Sequence, residues 1–105
     1  MARTRLSSYR LRPAAQADLE GIWRYTAEQW SADQADRYVD GLQATIALLV
    51  SMPEIARERR EFVPPVRIHP SARHLIIYRI EDDILAVLRI VAQRQNWRAL
   101  LDSSE

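Results

Sequence analysis

The chain has 105 residues, a formal net charge of +1 and no cysteine. That length makes one domain with a modest core, and the missing cysteine excludes disulfides, a thiolate nucleophile and Cys-ligated zinc and fits a reducing cytoplasm. All fifteen basic residues are arginine, a side chain that stays protonated at any working pH, so mechanisms that need a neutral lysine are excluded.

Residues 1–7 are expected to be a loose, basic arm, and residues 102–105 to fray. No apolar run follows Arg3 and Arg5, so no signal peptide is expected. No stretch approaches the roughly 20 apolar residues of a membrane span. Ser8-Tyr9-Arg10-Leu11-Arg12 alternates like a short strand with one buried face. Pro13 ends it and suits the first turn of a helix, where its missing N–H is not needed. The first helix is expected from about Pro13 to Gln29, with Ala15, Leu19, Ile22, Trp23, Thr26 and Trp30 on one buried stripe. Gly21 weakens this helix and would mark a close approach by another backbone.

Ser31 followed by Gln34 has the form of a capping box and opens a second helix. Its stripe is Ala35, Tyr38, Val39, Leu42, Thr45, Ile46 and Leu49, and Ser51-Met52-Pro53 ends it. A link of about one or two residues forces the two helices into an antiparallel hairpin. Arg57 to Glu61 is a mixed-charge run that reads as a solvated loop. Val66 to His69 forms a short strand. Then come two apolar strands, Ala72–Ile80 and Ile84–Val91, joined by Glu81-Asp82-Asp83. Ile76, Tyr78 and Ile80 point one way and Leu75 and Ile77 the other, so both faces of this hairpin need a cover. The helices supply one, and a partner is a candidate for the second. Asn96 is placed to cap a short final helix carrying Trp97, Leu100 and Leu101.

The expected fold is therefore α+β, in the order β-α-α-β-β-β with a short C-terminal helix. Its antiparallel sheet is packed on one face by the helical hairpin, and residues 1–105 form a single domain.

Catalytic chemistry is hard to place. There is no nucleophile elbow, and His69 and His74 lack the spacing of a metal site. The only glycines, Gly21 and Gly41, fall inside helices, which rules out a phosphate-cradling loop. No catalytic residue, metal ligand or cofactor is assigned. What remains is a group of arginines near the sheet, with His74, Tyr78 and Trp97 among them. For Arg79 and Arg98 the preferred role is pairing with Glu81, Asp82 and Asp83. For Arg67, Arg73, Arg94 and Trp97 two roles stay open: solvating the sheet edges, or forming a binding cluster at one end of the sheet. Trp23, Trp30 and Tyr38 are assigned first to the helical core.

Four stretches resemble a known family. They are Tyr9–Thr26, then Gln34–Tyr38 with Leu42, then Met52-Pro53-Glu54-Ile55, and finally Arg73–Ile80 followed by Leu88–Trp97. In this order and spacing the chain resembles the ParE branch of the RelE/ParE toxin superfamily, with Ala92 where family members commonly carry a histidine. The resemblance implies the toxin of a type II toxin–antitoxin pair. Such a toxin would act in the cytoplasm, poison DNA gyrase by protein binding, contact no specific nucleic-acid sequence and form a hetero-oligomer with a ParD-like antitoxin. Taken with that family, the arginine cluster supplies the expected target-binding residues, Arg67, Arg73, His74, Arg94 and Trp97, and the apolar faces supply the expected antitoxin contacts, Leu19, Trp23, Tyr38, Leu75, Ile77 and Tyr78. The alternative is a RelE-like ribosome-dependent mRNA interferase using Arg67, Arg89 and His74. Against it, Trp97 stands in a tail where such ribonucleases use a proton-exchanging side chain. A plain interaction domain is the third possibility.

Overall fold

The computed structural model describes residues 6–94 and 97–104, with the side chains of Leu100 and of residues 102–104 left out. Ser8–Leu11 forms strand β1, and Pro13 then opens helix α1, Pro13–Gln29. Trp30 and Ser31 turn the chain into helix α2, Ala32–Ser51. Ser31 caps α2 as its sequence predicts, with its hydroxyl accepting the Gln34 backbone N–H at 3.0 Å. The two-residue strand β2, Glu58–Arg59, lies in the run read as a solvated loop. It is followed by β3, Val66–Ser71, β4, His74–Glu81, and β5, Ile84–Ala92. Helix α3, Trp97–Ser104, closes the chain; its expected cap Asn96 lies outside the described residues.

The sheet order is β1-β5-β4-β3-β2. The last three long strands form the expected antiparallel meander. One pairing differs from the antiparallel expectation: β1 runs parallel to β5, with Ser8 opposite Ile84 and Leu11 opposite Val87. β1 and β5 are far apart in sequence, with the helical hairpin and the meander between them, so no tight turn forces them antiparallel.

A bulge in β5 sets which side chains reach which face. Ile77 pairs with Arg89 but Tyr78 pairs with Val87, so Leu88 is an extra residue. Val87 and Ile90, three apart, both enter the helix-side core, and Leu88 and Val91 both face the other way. The helix-side core joins Leu19, Leu42, Ile46 and Leu49 to Ile76, Tyr78, Leu85 and Ile90. Tyr78 is fully buried and donates its hydroxyl to the Pro53 carbonyl at 2.8 Å. Burial pushes its phenol up to about 12.

Three expectations need correction. Gly21 has no atom within 4 Å of where a Cβ would stand, so no backbone approaches it. Trp23 and Trp30 do not join the core, being 38 % and 72 % exposed. Trp30 is the C-cap residue just past α1, and Trp23 points to α2, where it donates its indole N–H to Asp36 at 2.9 Å. The second face of the sheet is largely covered by the chain itself. Phe62, Trp97 and Leu101 pack over Val66, Ile77, Ala86, Leu88 and Val91.

Candidate functional site

The β3–β4 turn is built from both sides. Ala72 adopts φ 54°, a left-handed conformation that costs an alanine about 1 kcal/mol. The surrounding bonds hold it there. The Tyr38 hydroxyl on α2 accepts the Arg73 backbone N–H at 3.0 Å and meets His74 Nδ1 at 2.7 Å. Thr45, also on α2, meets the Ser71 hydroxyl at 2.7 Å. From the exit of β5, the Gln93 backbone N–H bonds the Arg73 carbonyl at 3.1 Å and its side-chain amide bonds the Ala72 carbonyl at 2.8 Å.

The Tyr38 hydroxyl thus serves the Arg73 backbone and the His74 ring at once, and which of Tyr38 and His74 donates follows the ring tautomer. Desolvation lowers the His74 pKa below its ordinary value of 6.5, opposed in part by the charge of Asp18. The Tyr38 and His74 rings meet edge-on, with centroids 5.5 Å apart. Arg73, His74 and Arg94 therefore come together at one end of the sheet. The first and last are exposed, on a backbone pinned by α2 and β5.

The remaining expected target residues go elsewhere. Arg67 turns under the sheet, where its guanidinium donates to the Ala56 carbonyl at 2.6 Å. Trp97 lies on the second face. Its ring sits 5.6 Å from the Arg59 guanidinium, 5.0 Å from that of Arg98 and 5.9 Å from Phe62. Glu61 holds both arginines, at 2.9 and 3.6 Å. A backbone hydrogen bond and the Arg59 guanidinium keep its carboxyl below the usual range. Of the residues expected under an antitoxin, Leu19, Ile77 and Tyr78 are consumed by the chain's own core. Tyr38 and Leu75 are half-buried and Trp23 is exposed.

Asp18 was missed. It takes two bonds from the Arg89 guanidinium, at 2.8 and 2.9 Å, and a third from the Ile90 backbone N–H at 2.9 Å. β1 pairs with β5 only as far as Val87, so Asp18 supplies the acceptor that the next stretch of the β5 edge lacks. The pair is 15 % and 16 % exposed, and the hydrogen bonds to Asp18 raise the Arg89 pKa. One signal marks Asp18 in the sequence: it stands at i+3 from Ala15, inside the apolar stripe of α1.

No group of three His, Cys, Asp or Glu side chains that could hold a metal ion occurs among the described residues. No described helix is long and apolar enough to cross a membrane.

Comparison with known proteins gives a consistent result. The profile of the ParE toxin of type II toxin–antitoxin systems, parDE, matches residues 9–97. Toxin ParE1 of Mycobacterium tuberculosis is 37% identical over 91 residues, covering 86% of this chain and 93% of that protein. Toxin ParE1 of Caulobacter vibrioides is 32% identical over 96 residues, covering 91% and 99%. A solved structure described as the chromosomal ParDE TA system from P. aeruginosa superposes with a TM-score of 0.71 at 20% identity, covering 83% of this chain and 95% of the other.

Proposed function

Because the chain belongs to the ParE toxin family of type II toxin–antitoxin systems, we propose that it acts in the cytoplasm by binding and inhibiting DNA gyrase, without catalysis, and that a ParD-like antitoxin neutralises it in a hetero-oligomeric complex. The observation that carries the binding surface is the pinned turn. Arg73 projects from a backbone fixed by Tyr38 and Gln93, with Arg94 next to Gln93, so little backbone ordering opposes docking at the turn. Two exposed guanidiniums on a rigid base suit an acidic protein surface.

The same geometry weighs against RNA cleavage. The residues that an interferase would draw on are Arg67, Arg89 and His74. Arg67 is bound to Ala56 and Arg89 to Asp18, and His74 Nδ1 is already engaged by Tyr38. A general acid–base pair needs groups free to reach the reacting atoms.

The test is a supercoiling assay with purified gyrase, run beside transcript mapping in cells that express the chain without its antitoxin. Inhibited supercoiling, relieved at least tenfold by Arg73→Glu with Arg94→Glu, is the expected result. Intact gyrase activity together with cut mRNA would establish the interferase instead.

A further inference from the structure

The helical hairpin and the rest of the chain carry opposite charge. Residues 13–51 hold six carboxylates and two arginines, while the remaining positions hold thirteen arginines and eight carboxylates. Unmatched groups of both signs meet at one end of the molecule. The Arg12 backbone N–H bonds the Val87 carbonyl and Asp18 reaches Ile90, so α1 runs along β5 towards Ala92. Past Asp18 the helix continues to Gln29, roughly 16 Å at about 1.5 Å per residue. After Ile90 the strand continues only to Ala92, roughly 7 Å at about 3.3 Å per residue. The tip of the hairpin therefore stands out past the end of the sheet where Arg73 and Arg94 lie, in a molecule 45 Å long and 29 by 20 Å across.

That tip exposes Tyr25 and Trp30, at 64 % and 72 %, together with Glu28 and Asp33. Aromatic rings beside carboxylates suit a guanidinium, which stacks on the ring and donates to the acid. Arg73 and Arg94 are exposed guanidiniums. Among the described residues, none of Arg73, Arg94, Glu28 and Asp33 has an ion-pair partner.

We propose that in the lone chain this tip docks on the Arg73–Arg94 turn of a second copy, across a two-fold axis. Charge complementarity selects the occupant, because the surface that matches the tip is carried by the same molecule. Tip and turn lie at the same end, so a two-fold rotation lets each copy supply both halves of the contact. The formal net charge of +1 sets no large repulsion between two copies. The contact also covers Arg73 and Arg94. A paired chain therefore withholds them from gyrase, and self-association restrains the toxin. This consequence rests on the target reading given above; the pairing itself does not.

The test measures the dissociation constant of the purified chain by sedimentation equilibrium, with a thermal melt of each variant to check its fold. The wild type is expected to form a dimer that weakens as salt is added. Glu28→Arg with Asp33→Arg should raise the dissociation constant tenfold or more. Arg73→Glu with Arg94→Glu should do the same, and so should Trp30→Ala. The decisive measurement mixes the two double variants. Neither pairs with itself, yet each carries the complement of the other, so the mixture should recover to within threefold of the wild type. A folding defect would not be rescued by mixing. A chain that stays monomeric up to its solubility limit, species larger than a dimer, a dimer that both double variants retain, or a mixture without recovery would each overturn the proposal. Trp30→Ala leaves the turn untouched and should inhibit supercoiling at least as strongly as the wild type; weaker inhibition would overturn the competition with gyrase. If the wild type leaves gyrase active, the target reading and the competition fall together, and sedimentation still decides the pairing.

Discussion

Replacing Asp18 with alanine should be among the most damaging single changes in α1. The substitution removes three bonds at once, two to Arg89 and one to the Ile90 N–H. It leaves a cation that is 16 % exposed and a strand-edge donor without their acceptor. Breaking a buried ion pair costs about 3–5 kcal/mol, and this pair is not fully buried, so about 3 kcal/mol is the appropriate expectation. With an unfolding entropy near 2.1 cal/mol/K per residue, a chain of 105 residues should lose about 14 °C in Tm. Urea denaturation of four proteins separates the contributions: wild type, Asp18→Ala, Arg89→Met and the double variant. The double variant should be more stable than Asp18→Ala, because it no longer strands the guanidinium. Arg60→Ala is the control, since its ion pair to Glu58 is solvated and should contribute less than about 1 kcal/mol. A loss below about 1 kcal/mol for Asp18→Ala, or full additivity in the cycle, would refute the assignment of Asp18 as the acceptor that closes the β5 edge.

Three further outcomes are expected. Tyr78→Phe should cost about 1 kcal/mol for the lost bond to Pro53. In the wild type the folded Tyr78 pKa lies above the unfolded value. Its stabilisation is therefore present below pH 10 and lost as pH rises towards 12, by at most about 2.7 kcal/mol; urea midpoints from pH 9 to 11 should fall in the wild type and fall less in Tyr78→Phe. The folded pKa of His74 is depressed instead, so its contribution is present above pH 6.5 and fades as pH falls through the folded value; midpoints at pH 5 and 7.5 should differ less in His74→Asn than in the wild type. Ala72→Gly should raise stability by up to about 1 kcal/mol, read by thermal melt, because glycine adopts a φ of 54° without strain.

How much of this was legible depends on whether the cause was local. The meander could be read because Leu75, Ile77 and Tyr78 lie in an uninterrupted apolar run, and α2 because Ser31 and Gln34 announce it. The grouping of Arg73, His74 and Arg94 followed from a tight turn beside the exit of the last strand. Arg67 was misgrouped because its partner, the Ala56 carbonyl, is a backbone group in an irregular loop, where no side-chain pattern exists to read. Trp30 satisfied the helical rhythm, but periodicity reports which way a side chain points and not whether anything stands opposite it. Asp18 and Arg89 are 71 residues apart, so only the odd placement of an acid on an apolar stripe gave notice. The parallel pairing of β1 was hidden for the same reason: it is set by how the hairpin returns the chain, not by the four residues of the strand.

The cover for the second face raises a finer point. Apolar residues on both faces of β4 and β5 required two covers, and the requirement was correct although a whole-face partner was not. The chain spends Phe62, Trp97 and Leu101 on most of that face, and an open cleft remains at the Glu81 end. The two ends of β4 therefore carry different chemistry. At the His74 end, the hydrogen bonds of Tyr38, Thr45 and Gln93 go into the turn itself, leaving Arg73 and Arg94 exposed on a fixed backbone. At the Glu81 end the arginines are already engaged by carboxylates beside an open apolar floor. The first arrangement favours a partner that brings its own acidic surface. The second favours a segment that displaces water from the floor and exchanges or shares carboxylates. If a target takes the first, a variant at the Glu81 end should leave that binding intact.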